Sequence, residues 1–168
     1  MVHTRRVSNT PGPGRMVVTA VRSFSVLVVD ESEAFLASTR HWIESRTDVH
    51  LVGTARSGWA ALEAAAELCP DLVIVEAVLP GMDGFHVTRA LKGRANAPLV
   101  VIVTFYASAA ARDEAFVAGA DGFLAKGDFS DGLEAILETW RTERPGPTTG
   151  VTTPTKRAPR ESRTVPDP

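Results

Sequence analysis

The sequence predicts an α/β domain, a five-stranded parallel sheet covered by helices on both faces. Three observations carry this. Short Val/Ile/Leu-rich runs alternate five times with segments whose apolar residues recur at helical spacing. Two of the runs, Leu72 to Glu76 and Leu99 to Val103, are continuously apolar up to their last residue, as strands buried on both faces are. Residues suited to cap helices (Ser57, Asp83, Ser108) stand between strand and helix.

Taken in order, strand one is Phe24 to Val29 and runs into Asp30-Glu31. Helix one follows over Glu33 to Ser45, with Phe35, Leu36, Trp42 and Ile43 at helical spacing. Strand two is His50 to Thr54, and Ser57 caps an alanine- and glutamate-rich helix two, Trp59 to Leu68. Strand three ends in Glu76 and breaks into the turn Leu79-Pro80-Gly81-Met82-Asp83-Gly84. Asp83 caps helix three, Gly84 to Lys92, and Gly93 ends it. Strand four is followed by Thr104. Ser108 caps helix four, which runs to about Ala118 and is ended by Gly119. Strand five is Gly122 to Ala125, followed by Lys126. Ser130 is the expected cap of helix five, which reaches Thr142 with Leu133, Ile136, Leu137 and Trp140 on its apolar face. Right-handed crossovers leave few topologies, and the flavodoxin-like order 2-1-3-4-5 is the commonest small one.

The 168 residues suffice for one domain with a sizeable core, and a net charge of −2 points to neither nucleic acid nor membrane. Residues 1–22 carry Pro11-Gly12-Pro13-Gly14 and arginines without acidic partners. They read as a disordered arm, with Met16 as an alternative start. Residues 144–168, with six prolines among Thr, Gly and Arg, read as a disordered tail rather than a second domain, leaving 23–143 as the folded unit. No transmembrane run and no secretory signal are present, which suggests a cytoplasmic protein. The single cysteine, Cys69, has no disulfide or zinc partner spacing and reads as a small core residue.

Four strands exit into chemically useful residues: Asp30 and Glu31, Glu76, Thr104, and Lys126. In order 2-1-3-4-5 these strands are contiguous, so the residues converge at the carboxyl edge of the sheet, where open α/β sheets bind ligands. Each has a plainer explanation alone, as a helix start, a strand exit or a surface lysine, but their coincidence on adjacent strands suggests phosphoryl handling. A carboxylate cluster can hold Mg²⁺, a lysine neutralises a phosphoryl oxygen, a hydroxyl hydrogen-bonds another, and a carboxylate can accept a phosphoryl group.

Through VLVVDE, DLVIVEAVLPGMDG, VVIVT and AGADGFLAKG, residues 24–142 resemble the receiver domain of two-component response regulators. The resemblance implies that Asp30 and Glu31 match the acidic pair that binds Mg²⁺, with Glu76 and the Val78 carbonyl completing the site. Thr104 matches the switch hydroxyl, Phe123 the switch aromatic and Lys126 the characteristic lysine. It also implies a protein partner (a histidine kinase, regulator or effector) on the face formed by helix four, strand five and helix five, or pairing of two copies there. Phe116, Phe123 and Trp140 could supply apolar area to that face, or serve as core. Three positions depart from the family pattern. Glu76 stands where the family has its phosphoacceptor aspartate and is longer by about 1.5 Å. Phe105 replaces a small residue after Thr104, and Gly127 replaces the proline after the lysine.

The expectation is an atypical, phosphorylation-independent signalling module and not an enzyme, with Glu76 reaching toward Lys126 and Thr104. A Mg²⁺-dependent phosphohydrolase on the same fold is the alternative. The dehalogenase-type version needs a D-x-D arrangement that Asp30-Glu31-Ser32 lacks. A flavodoxin-like cofactor binder is disfavoured because Asp30-Glu31 would repel a phosphate without a metal. Direct DNA binding is unsupported, since no helix-turn-helix pattern follows helix five.

Overall fold

The computed structural model describes residues 23–143. The sequence-based assignments for 1–22 and 144–168 lie outside them. Five strands and five helices alternate in chain order. They are β1 (Phe24–Val29), α1 (Glu33–Glu44), β2 (Val49–Ala55), α2 (Gly58–Leu68), β3 (Leu72–Glu76), α3 (Gly84–Lys92), β4 (Leu99–Thr104), α4 (Ala109–Val117), β5 (Gly122–Ala125) and α5 (Phe129–Glu143). All strand pairs are parallel and the order is β2-β1-β3-β4-β5, the predicted topology.

The continuous apolar runs are explained by burial on both sides: every residue of β3 and β4 is buried. One face, with Leu27, Val73, Val75 and Ile102, packs with Ala61, Val87, Leu91 and Ala115. The other, with Val26, Ile74, Val101 and Val103, packs with Ile43, Leu133, Leu137 and Trp140. Trp140 is therefore core, stacked at a tilt 6.5 Å from Phe24.

Strand register is also fixed by side chains at the amino edge. Asp71 Oδ2 accepts from both the amide and the hydroxyl of Ser25, at 2.9 and 2.7 Å, and ties β3 to β1. Asp121 Oδ2 accepts from the Val100 amide at 2.8 Å and pairs with Lys92 at 2.8 Å, tying β5 to β4. Near the same end, Asp48 binds both Arg46 and Arg141, and so fastens α5 to the turn before β2. Burial, helped by the neighbouring Arg46 charge, lowers the Arg141 pKa.

The caps at Ser57, Asp83 and Ser108 hold: each side chain accepts from the amide three residues on. Ser32 caps α1 in the same way. Gly93 ends α3 as expected, in a right-handed conformation, so its freedom to adopt positive φ is unused. Two expectations fail. Ser130 is not a cap, because Lys126–Asp128 wind as a 3₁₀ turn that runs directly into α5 at Phe129. Cys69 is exposed rather than core, because as the cap that follows α2 it turns left-handed at φ 44° and carries its side chain away from the sheet.

Asp83 holds the start of α3, directly after the loop from β3. Burial opposes its charge, but hydrogen bonds from the His86 amide and ring, with the charges of His86 and Arg89, outweigh that and lower its pKa. Replacing Asp83 with Ala should cost about 1 kcal/mol at neutral pH. A depressed carboxylate pKa stabilises fully above the ordinary value of about 3.9 and loses that contribution as pH falls through the lower folded value. The difference between wild type and Asp83→Ala in urea unfolding should therefore vanish in strong acid.

Candidate functional site

The exits of β1, β3, β4 and β5 meet in a cavity of about 230 Å³ lined by Asp30, Glu31, Glu76, Val78, Thr104 and Lys126, with Ser32, Phe105 and Tyr106. The sequence-predicted residues are thus brought to one place, Phe123 apart. Its centre is the Lys126 ammonium, whose side chain is 3% exposed. It pairs with Asp30 Oδ2 at 2.5 Å and with Glu76 Oε2. The two carboxylates are buried too, at 1% and 8% side-chain exposure. Charges this deep persist only when paired.

The remaining carboxylate oxygens are also engaged. Glu76 Oε1 accepts from the Val78 amide two residues ahead at 3.2 Å, so the side chain curls back onto its own loop. Asp30 Oδ1 accepts from the Ser32 amide at 2.8 Å. Asp30 Oδ2 makes no hydrogen bond of good angle and is held by the ammonium charge. Gly84 is essential to this geometry: its amide donates to the Ala77 carbonyl at 2.9 Å, and a Cβ there would overlap the Glu76 carbonyl oxygen.

Two rings complete the surroundings of Lys126. Its Nζ lies 4.4 Å from the centroid of Phe35 on α1 and 4.6 Å from that of Phe105 on the loop after β4, both within cation–π range. In the sequence Phe105 stands out as a departure from the family pattern beside Thr104, whereas Phe35 shows only the helical spacing of helix one. Its position in the first turn after Asp30-Glu31 was the available signal. Phe105 is 69% exposed, so its ring is a lid with one face in solvent.

Glu31 departs from the expected pair. Its side chain is exposed at the rim and its carbonyl accepts from Arg56 at 2.8 Å. Thr104 is buried and its hydroxyl accepts from the Tyr106 amide at 3.2 Å; the expected bond to Glu76 is not made. Phe123 is buried in the core face shared with α3 and α4. Phe116 is half-exposed on α4, beside the more exposed Val117.

The family model of the response regulator receiver domain matches residues 26–138. The chain belongs to that family. Over 87 residues it is 44% identical to protein-glutamate methylesterase/protein-glutamine glutaminase 5 of Myxococcus xanthus, covering 52% of this chain and 25% of that protein. Over 119 residues it is 32% identical to the response regulator protein VraR of Staphylococcus saprophyticus, covering 70% and 57%. The chain thus spans from a quarter to somewhat over half of these relatives. Among solved structures, the receiver domain of the putative response regulator NarL from Mycobacterium tuberculosis matches with a TM-score of 0.66 at 28% identity, over 70% of this chain and 96% of that one. The response regulator domain of Thermotoga maritima CheB matches at 0.63 and 29%, over 72% and 96%.

Receiver domains typically bind Mg²⁺ at the acidic site. In this receiver a divalent ion does not fit the arrangement. Mg²⁺ requires near-octahedral oxygen ligands, whereas the ammonium already lies against both buried carboxylates. Among the described residues no group of three His, Cys, Asp or Glu side chains is placed to hold an ion. No helix among them is long and apolar enough to cross a membrane.

Removing Lys126 leaves two buried carboxylates without their counter-charge. Lys126→Ala should destabilise this receiver by about 3–5 kcal/mol in urea unfolding at neutral pH. A loss under 1 kcal/mol would mean that the charges are solvated.

Proposed function

We propose that this receiver is a phosphorylation-independent signalling module of the two-component type, acting by protein–protein contact in the cytoplasm and not as an enzyme. One observation carries the reading: both oxygens of Glu76, at the position where the family has its phosphoacceptor, are already bound by the Val78 amide and the Lys126 ammonium. In-line attack on a phosphodonor needs a free, positioned carboxylate oxygen, and a misplacement of about 1 Å can cost about 10²-fold. The Phe105 ring adds a steric barrier above the same point.

The pairing of Glu76 with Lys126 supplies internally part of what a phosphoryl group would supply from outside. A glutamate brings about one negative charge, against −1.5 to −2 for a phosphoryl group. Phe123 lies inward, the position expected if the output face is set without a phosphodonor. Because Thr104 does not bond Glu76, the link from site to face would run through Lys126 and the turn that follows β5. The partner (a kinase, regulator or effector, or a second copy) would meet α4, β5 and α5, where Phe116 and Val117 supply exposed apolar area.

The test is incubation of the full chain with acetyl phosphate and Mg²⁺, read by intact mass. Wild type should gain no phosphate, and a phosphate mass mapped to Glu76 would overturn the reading. Glu76→Asp combined with Phe105→Ala should restore labelling, by returning the shorter carboxylate and opening the lid. Glu76→Gln, which keeps shape and removes charge, should weaken binding to a partner identified for this chain. Equal calorimetric affinity would make Glu76 a passive occupant.

A further inference from the structure

We propose that the Lys126 ammonium is the resident cation of this site, and that the rings of Phe35 and Phe105 hold it there and keep divalent metal out. The inference rests on reading the pocket as a receiver site closed to phosphoryl chemistry, and it adds what closes it.

Four groups face the ammonium: the Asp30 and Glu76 carboxylates and the two aromatic faces. They come from β1, β3, α1 and the loop after β4, so the enclosure is a product of the tertiary fold. Together they provide what a desolvated cation needs, two counter-charges and two negative ring faces. They leave a divalent ion only the exposed Glu31 at the rim to bind first. It would have to displace an ammonium that neutralises one of two carboxylate charges and gains from both rings. Glu31, the third acid at the rim, is exposed and takes no part in holding Lys126.

Of the two rings, Phe105 is the adjustable part. Phe35 is anchored edge-on to Phe129 at 5.3 Å, within the core on the α5 side. Phe105 lies in the exposed loop after β4, where its ring lies against the ammonium and belongs to neither core cluster. Swinging this ring outward would remove one face of the enclosure without disturbing the core. Admission of a metal is thus governed by the residue that follows Thr104.

The test titrates Mn²⁺ into the full chain and follows paramagnetic broadening of assigned amide NMR signals, with Val78 and Ser32 reporting on the site. Wild type should show no saturable broadening at these amides in the millimolar range. Lys126→Met, with an uncharged side chain of similar length, should show saturable broadening. Because that variant leaves buried carboxylates unpaired and can fail to fold, Phe105→Ala provides the second arm. It keeps the ion pairs, and should raise site occupancy by about five-fold at a given Mn²⁺ concentration, the weight of one cation–π contact. Saturable broadening in wild type over the same range would overturn the proposal. So would its absence from every folded variant, since something other than the ammonium and its rings would then exclude the ion. A wild type that admits Mn²⁺ but takes no phosphate would overturn this inference alone. A wild type that becomes phosphorylated would overturn the functional reading.

Discussion

The ammonium of Lys126 is the interaction on which the carboxyl edge of this domain depends. It extends from the end of β5 past β4 and binds the carboxylates that terminate β3 and β1. Two acids this deep and this close would repel each other without a cation between them. The chain meets the need with its own side chain, and the loop geometry at the site follows. Glu76 curls back to its Val78 amide, Asp30 turns to the Ser32 amide at the start of α1, and the loop after β4 lays Phe105 over the charge.

Glu76 and Asp30 are held in the same way. Each accepts from the backbone amide two residues ahead with one oxygen and keeps the other on the lysine. The site is thereby closed electrically as well as sterically. In a buried, low-dielectric pocket, fully paired charges are stiff and unpaired ones are costly. A site of this kind favours one fixed arrangement over exchange between several.

Much of this was legible in the sequence because it is local. Continuous apolar runs gave β3 and β4 nearly to the residue, and the caps at Ser57, Asp83 and Ser108 are decided within three residues of themselves. The convergence of Asp30, Glu76, Thr104 and Lys126 follows from strand order alone. What the sequence did not disclose depends on tertiary placement. Phe35 reaches Lys126 across more than half the domain, and no periodicity distinguishes a ring on a charge from a ring in a core. Thr104 accepts from the Tyr106 amide two residues on and makes no bond to Glu76 on the neighbouring strand. Ser130 loses its capping role because the 3₁₀ turn after Lys126 starts the helical path earlier. Cys69, apolar by neighbourhood, is carried outward by one left-handed residue at the end of α2.

The aspartates at the opposite, amino edge have a kinetic consequence. Asp71 reaches Ser25 over 46 positions of chain, and Asp121 reaches Val100 over 21. A parallel sheet cannot form by local hairpins, and each pairing pays a loop-closure cost before it is rewarded. A side chain that binds an amide near the start of the neighbouring strand rewards correct alignment of the two. It penalises a slip of one residue, which would part the acid from its amide. These two acids thus favour the native stagger of the strands at the edge opposite the charged groups.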